Sequence, residues 1–258
     1  MKKIFFLLLI ITAFFSLSDD NDSSPKLKYG TEKAPLASPL SRDNHFFQEN
    51  PAPDFWALIP YYMPQMTPYS CSAASISIVL NGAKSKGIRR DNEANISEKE
   101  ILKKVNVENF RELLSEKGFE GRHGLSIEAL GKVVEASLKA FDIPYIFIKT
   151  EALSNKMPDI DSKKARLLEI LEENEKSGRD FIIAHFNQGV FTDSYFGAHI
   201  SPVGAFDNKN KRVLILDVDR EWYEPYWISF DTFFKGLSEP SKLYGGYGNG
   251  GYVWVKLK

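Results

Sequence analysis

The order of apolar and polar positions splits the chain into a helical stretch followed by a strand-rich one. The run Cys71-Ser72-Ala73-Ala74-Ser75-Ile76-Ser77-Ile78-Val79-Leu80 passes from small to bulky residues just behind Pro68, which predicts a loop entering a buried helix. Ser97-Glu98-Lys99-Glu100 has the form of a capping box and starts a short helix ahead of Ile101 and Leu102. Another helix is predicted over 107–116, with Phe110, Leu113 and Leu114 on one face and Gly118 as its stop. The next opens at a Ser126 cap and sets Leu130, Val133, Val134, Leu138 and Phe141 on one side, leaving Glu128, Lys132, Glu135 and Lys139 outward. Residues 144–149 read as the first clear strand, and 161–177 as an amphipathic helix built on Leu167, Leu168, Ile170 and Leu171. Beyond Asp180 the pattern becomes strands at 181–186, 198–206, 212–219, 222–228 and 251–257, separated by turn residues. Helices first and an antiparallel sheet second predict an α+β fold, a helical half and a sheet with a cleft between them.

Residues 19–52 are polar and broken by Pro25, Pro35, Pro39 and Pro51, which predicts a flexible or wrapping lead segment ahead of one domain over 53–258. Phe55, Trp56, Leu58, Ile59, Tyr61, Tyr62 and Met63 bring bulky groups close to Gln65, to pack under the Cys71 helix or line the cleft. The glycine-rich stretch 244–251 reads as a flexible loop or hairpin beside the cleft.

Composition narrows the class. With 258 residues, 43% hydrophobic and 13% aromatic, the chain can bury a substantial core and is not a disordered protein. A net charge of -1 with no basic stripe argues against a nucleic-acid partner. Residues 1–18 join Lys2-Lys3, an uncharged stretch from Ile4 to Phe15, and Ser16-Leu17-Ser18, the form of a secretory signal peptide. The apolar run falls short of the about 20 residues that a bilayer span needs. The expectation is a secreted or periplasmic protein with no stable membrane anchor once the leader is cleaved; an uncleaved anchor is the alternative.

Cys71 is the one cysteine, so it cannot form a disulfide within the chain. At the start of a helix its sulfur would sit among free N–H groups at the positive end of the dipole, which favours thiolate. Gln65 can supply a side-chain amide that, with the Cys71 backbone N–H, stabilises a developing oxyanion. The competing reading is an inert core cysteine. A cysteine nucleophile needs a base and a group to orient it. His199 and Asp217, on strands joined by Asp207-Asn208-Lys209-Asn210-Lys211, are the candidates, with His185 as a second base and Asp219 as a second orienter. For His199 and Asp217 to share a face, the sum of paired residue numbers must be even. A three-residue loop at 208–210 with one asparagine in the left-handed region gives that; a two- or four-residue loop does so only with a bulge. His45 and His123 read as surface residues, and dispersed histidines with one cysteine offer no zinc-ligand pair.

Four ordered blocks carry a family resemblance. Gln65 with Cys71-Ser72-Ala73-Ala74-Ser75, then Gly197-Ala198-His199-Ile200-Ser201-Pro202, then Leu214-Ile215-Leu216-Asp217-Val218-Asp219-Arg220, then Tyr223-Glu224-Pro225-Tyr226-Trp227 resemble the phytochelatin synthase family, in its short bacterial form. The resemblance implies a papain-like cysteine peptidase fold with Cys71 as nucleophile, His199 as proton shuttle, Asp217 as its orienter and Gln65 in the oxyanion hole. It implies a small thiol peptide such as glutathione as substrate, cut before its glycine, with Ser72, Gly197, Ala198 and Arg220 as candidate binding residues. Hydrolysis is expected to prevail over phytochelatin synthesis. No cofactor is expected, and metal activation, possible by family analogy, has no support in these residues. Three positions depart from the family pattern: Ser72 replaces a usual glycine, His185-Phe186-Asn187-Gln188 lacks an arginine, and Gly250 stands where the family has another. The alternatives are a thiol-peptide-binding module of the same fold and a peptidase on larger peptides.

Overall fold

The computed structural model describes residues 29–31, 34–86, 92–193, 197–241 and 250–258. The expected signal peptide and most of the glycine-rich stretch lie outside them. A two-residue ladder, β1 (Gly30–Thr31) with β2 (Ala34–Pro35), is followed by strand β3 (Ala37–Pro39) and the short helices α1 (Phe46–Glu49) and α2 (Pro53–Leu58). Helices α3 (Cys71–Ser85), α4 (Glu98–Lys104), α5 (Phe110–Leu113) and α6 (Ile127–Ala140) come next, then β4 (Tyr145–Ala152) and α7 (Ile160–Asn174). The remainder is β5 (Asp180–Asn187), α8 (Gln188–Thr192), β6 (Ala198–Asp207), β7 (Arg212–Ile215), β8 (Tyr226–Ser229), α9 (Phe230–Ser238) and β9 (Gly251–Leu257).

Helix α3 begins at Cys71, and every residue of it through Lys84 is buried. A helix apolar or small on all sides can be enclosed all round, and its alanines and serines admit close neighbours. The Ser97 capping box forms as read: Ser97 Oγ accepts the Glu100 N–H at 3.3 Å, and the Glu100 carboxylate accepts the Ser97 N–H at 2.9 Å. Ser126 Oγ caps α6 by accepting the Ala129 N–H at 3.2 Å. The helix expected over 107–116 shrinks to α5, because Glu108 and Asn109 take left-handed backbone angles (φ 55° and 53°) and cannot extend it.

The strands make one seven-stranded sheet in the order β3-β8-β7-β6-β5-β9-β4, each neighbouring pair antiparallel. Phe181, Ile183, Ile200, Leu214, Val253 and Val255 join the apolar cluster of α3 and α6. Ile182, Ala184, Val213, Ile215 and Trp254, from the other face, join that of α7 and α9. The molecule is therefore α+β as read, but the helices do not form one half facing the sheet: the sheet is the middle layer.

Two strands are shorter than their apolar patterns suggest. β7 stops at Ile215 and β8 starts only at Tyr226, just after Pro225, which has no N–H to give to a ladder. Residues 216–225 lie between the two strands, with the Leu216 N–H still donating to the Pro202 carbonyl of β6 at 3.0 Å. The described part of the lead segment takes the wrapping form: Ala37 pairs with Ile228, buried Phe46 packs on Trp227 with ring centroids 5.2 Å apart, and Trp227 Nε1 donates to the Asp43 carbonyl at 2.9 Å. The packed unit thus reaches upstream of residue 53.

Candidate active site

Three elements converge on one point. Cys71 is the first residue of α3, where its N–H has no partner inside the helix; His199 is second on β6, and Asp217 follows β7. Ser75 joins the helix to the strand, its hydroxyl lying 2.8 Å from the Cys71 carbonyl and 2.9 Å from that of Ile200.

The register is met by a route other than the expected one. Asp207 pairs with Arg212, so the loop has four residues, and the one in the left-handed region is Lys211 (φ 49°) instead of an asparagine. A bulge then restores the shared face: Val203 pairs with Ile215 but Ala205 with Leu214, leaving Gly204 as the extra residue.

His199 Nε2 lies 2.9 Å from Asp217 Oδ1. Cys71 stands close enough to His199 to act on its pKa, and with Nε2 on the carboxylate Nδ1 is the ring nitrogen left for the sulfur. Asp217 is fully buried. Its Oδ1 also accepts the Asp219 N–H at 2.9 Å, while Oδ2 accepts Gln188 Nε2 at 2.9 Å and the Tyr226 hydroxyl at 2.8 Å. Burial alone pushes its pKa up, yet the charge of His199 and the bonds from His199, Gln188 and Asp219 hold it below the ordinary value. Burial likewise opposes the charged form of His199, and Asp217, with the Cys71 contact, outweighs it and raises the imidazole well above its usual range. Tyr226 stays a donor because burial, then the Asp217 charge, raises its pKa. Tyr62 donates to the Asp217 carbonyl.

The cleft beside the sulfur holds about 600 Å³ and is lined by Gln65, Met66, Gln188, Ala198, Asp219, Arg220, Trp222 and Tyr223, among others. The Gln65 N–H donates to the Val218 carbonyl at 2.9 Å, and Gln65 lines the same cleft as Cys71, with Oε1 buried and unpaired. Arg220 lines the cleft with its guanidinium 4.8 Å over the Tyr62 ring. Two expected binding residues stand elsewhere among the described contacts. Ser72 is enclosed in the α3 core, its hydroxyl unpaired, and Gly197 serves through its carbonyl, which accepts the Gln188 N–H at 2.9 Å.

His185 is engaged elsewhere. Its Nε2 faces the Leu125 carbonyl at 3.0 Å, and burial pushes its pKa down to about 4. Of the other histidines, His45 is exposed, whereas His123 is half-buried and stacks on Tyr69 at 3.8 Å. At Gly250 any side chain is excluded, because a Cβ would lie 2.0 Å from the His185 carbonyl oxygen. Gln188, Tyr226 and Tyr62 escaped the sequence reading as site residues; the signal for Gln188 was its place directly after a buried strand.

A thiol beside an imidazole that is itself held by a buried carboxylate is the arrangement nucleophilic cysteine catalysis requires. The phytochelatin synthase family model matches residues 41–243, and the chain belongs to that family. It is 27% identical over 201 residues to glutathione gamma-glutamylcysteinyltransferase 1 of Arabidopsis thaliana, covering 75% of this chain and 36% of that protein. It is 24% identical over 191 residues to glutathione gamma-glutamylcysteinyltransferase 3 of Lotus japonicus, covering 71% of this chain and 34% of that one. The chain thus spans little more than a third of these relatives.

Proposed function

We propose that the chain is an exported cysteine acyltransferase or hydrolase of papain-like fold that cuts glycine from glutathione or a related short thiol peptide. The observation that carries the reading is the Cys71–His199–Asp217 alignment at the wall of the cleft. The names of the relatives support glutathione as substrate, and a volume of about 600 Å³ suits a small molecule better than a long peptide.

In the proposed reaction the Cys71 sulfur adds to the carbonyl before glycine, and its proton resides on His199. The oxyanion is met by the Gln65 amide and the Cys71 N–H. His199 then protonates the departing amine, the C–N bond breaks, and glycine leaves a γ-glutamylcysteinyl thioester on Cys71. Water, deprotonated by His199, releases γ-Glu-Cys; the amine of a second thiol peptide in its place extends the chain. The resemblance drawn from the sequence supports water as the main acceptor. These steps use groups of the chain itself, and among the described residues no group of three or more His, Cys, Asp or Glu is placed to hold a metal ion. Among them, too, no helix is long and apolar enough to cross a membrane.

The test incubates wild type and Cys71→Ala with glutathione and follows glycine, γ-Glu-Cys and longer oligomers by mass spectrometry. Glycine release by the wild type alone is expected. No release, with Cys71 still rapidly alkylated by iodoacetamide, discards glutathione and keeps the nucleophile.

A further inference from the structure

Glu98 lies in the first turn of α4, 2% exposed, against the loop that runs from Gln65 to Ser70. Its Oε1 accepts the Met66 N–H at 3.0 Å, and the Ser70 side chain stands beside the same carboxylate. Met66 adjoins Gln65 and Ser70 adjoins Cys71, so this one side chain holds the Gln65 end of the loop by a hydrogen bond and lies against its Cys71 end. The helix itself does not account for Glu98, since the capping box uses Glu100. Burying a carboxyl group costs free energy unless its oxygens are matched by donors, and the donors here belong to the loop. Beyond the Gln65 N–H, which donates to the Val218 carbonyl, and the Tyr69 ring, which stacks on His123, the bonds within the loop are local, among them the Thr67 N–H to Ser70 Oγ at 3.0 Å and the Ser70 N–H to the Thr67 carbonyl at 3.1 Å. These shape the turn but do not fix it against the body of the protein.

We propose that Glu98 is a positioning residue of the acyl-transfer site, holding the Gln65 amide and the Cys71 sulfur at a separation from which both reach one substrate carbonyl. The inference rests on the reading of Cys71 and Gln65 given above. Misplacement of reacting groups by about 1 Å can cost 10²-fold in rate, which sets the scale of the test.

Glu98→Ala and Glu98→Gln are compared with wild type in the full chain, with glutathione as probe. Glu98→Ala is expected to lower kcat for glycine release about 100-fold with KM nearly unchanged. Glu98→Gln, whose amide oxygen still accepts the Met66 N–H, is expected to recover most of that loss. A wild-type kcat in Glu98→Ala overturns the proposal, as does a Glu98→Gln no better than Glu98→Ala. Should Glu98→Ala not fold, Glu98→Asp, whose shorter carboxylate stands back from the Met66 N–H, takes its place with a smaller drop expected; an unchanged kcat overturns the proposal. If wild type releases no glycine, the glutathione reading falls, and Glu98 is judged by the rate at which iodoacetamide alkylates Cys71. A rate about ten-fold lower in Glu98→Ala and restored in Glu98→Gln supports the positioning role, whereas equal rates in all three overturn it.

Discussion

Asp217 is surrounded by donors: His199, Gln188, Tyr226 and the Asp219 N–H all point at its carboxylate. Its ionised form is the one its surroundings satisfy, and His199 is charged in consequence. The linkage signs follow from the two directions. Asp217, lowered, contributes stability above its unfolded pKa of about 3.9 that is lost as pH falls through the folded value; His199, raised, contributes stability below about 6.5 that is lost as pH rises through its folded value. Tyr226→Phe removes a donor without changing shape, so the Asp217 pKa is expected to rise and the window to narrow from its acid side. NMR titration of the Asp217 carboxyl checks this, and a loss of about ten-fold in turnover accompanies it, as one charge-assisted bond is worth about 1.5–3 kcal/mol. Cys71, His199 and Asp217 were legible in the sequence because each is a chemically distinctive residue in a run of small or apolar neighbours. Gln188, Tyr226, Tyr62 and Glu98 were not, because their partners lie at remote positions that only the folded chain brings near.

At the level of elements, the bulge at Gly204 determines whether His199 and Asp217 meet. A Cβ there would lie 2.8 Å from Leu216 Cγ and 3.2 Å from Leu214 Cδ2. Gly204→Ala is expected to cost about 1–3 kcal/mol in urea unfolding, the range for overpacking a core, and to slow Cys71 alkylation by disturbing the base. The sequence showed the parity condition but not how it is met, since a bulge depends on how two strands pack and leaves no mark in either alone. Helices with a cap and an apolar stripe, α4 and α6, were legible. α9 escaped notice although Ser229 Oγ accepts the Thr232 N–H at 3.0 Å and Phe230, Phe233, Phe234 and Leu237 follow helical spacing. Its aromatic residues sit directly behind strand β8 and blend with it.

For the molecule as a whole, acidity acts on a second group of carboxyls away from the cleft. Asp54 is 1% exposed with neither oxygen partnered, and burial, then the nearby Glu175 and Asp180, raise its pKa well above the ordinary value against the pull of Lys86. Burial also pushes Glu175 up to about 7. The folded state therefore holds more protons than the unfolded chain, and stability falls as pH rises through these values. The melting temperature is expected to drop as pH rises from 4.5 to about 7, and Asp54→Asn, neutral throughout, is expected to flatten the drop.

The strand order also bears on synthesis. β9 lies between β5 and β4, and β3 closes on β8, pairing Ala37 with Ile228. A ribosome making this chain delivers Cys71 long before His199, and the sheet that carries the histidine lacks an inner strand until residue 257 has been added. Until β9 has been made, the growing chain carries the Cys71 thiol without the finished sheet that holds His199 beside it.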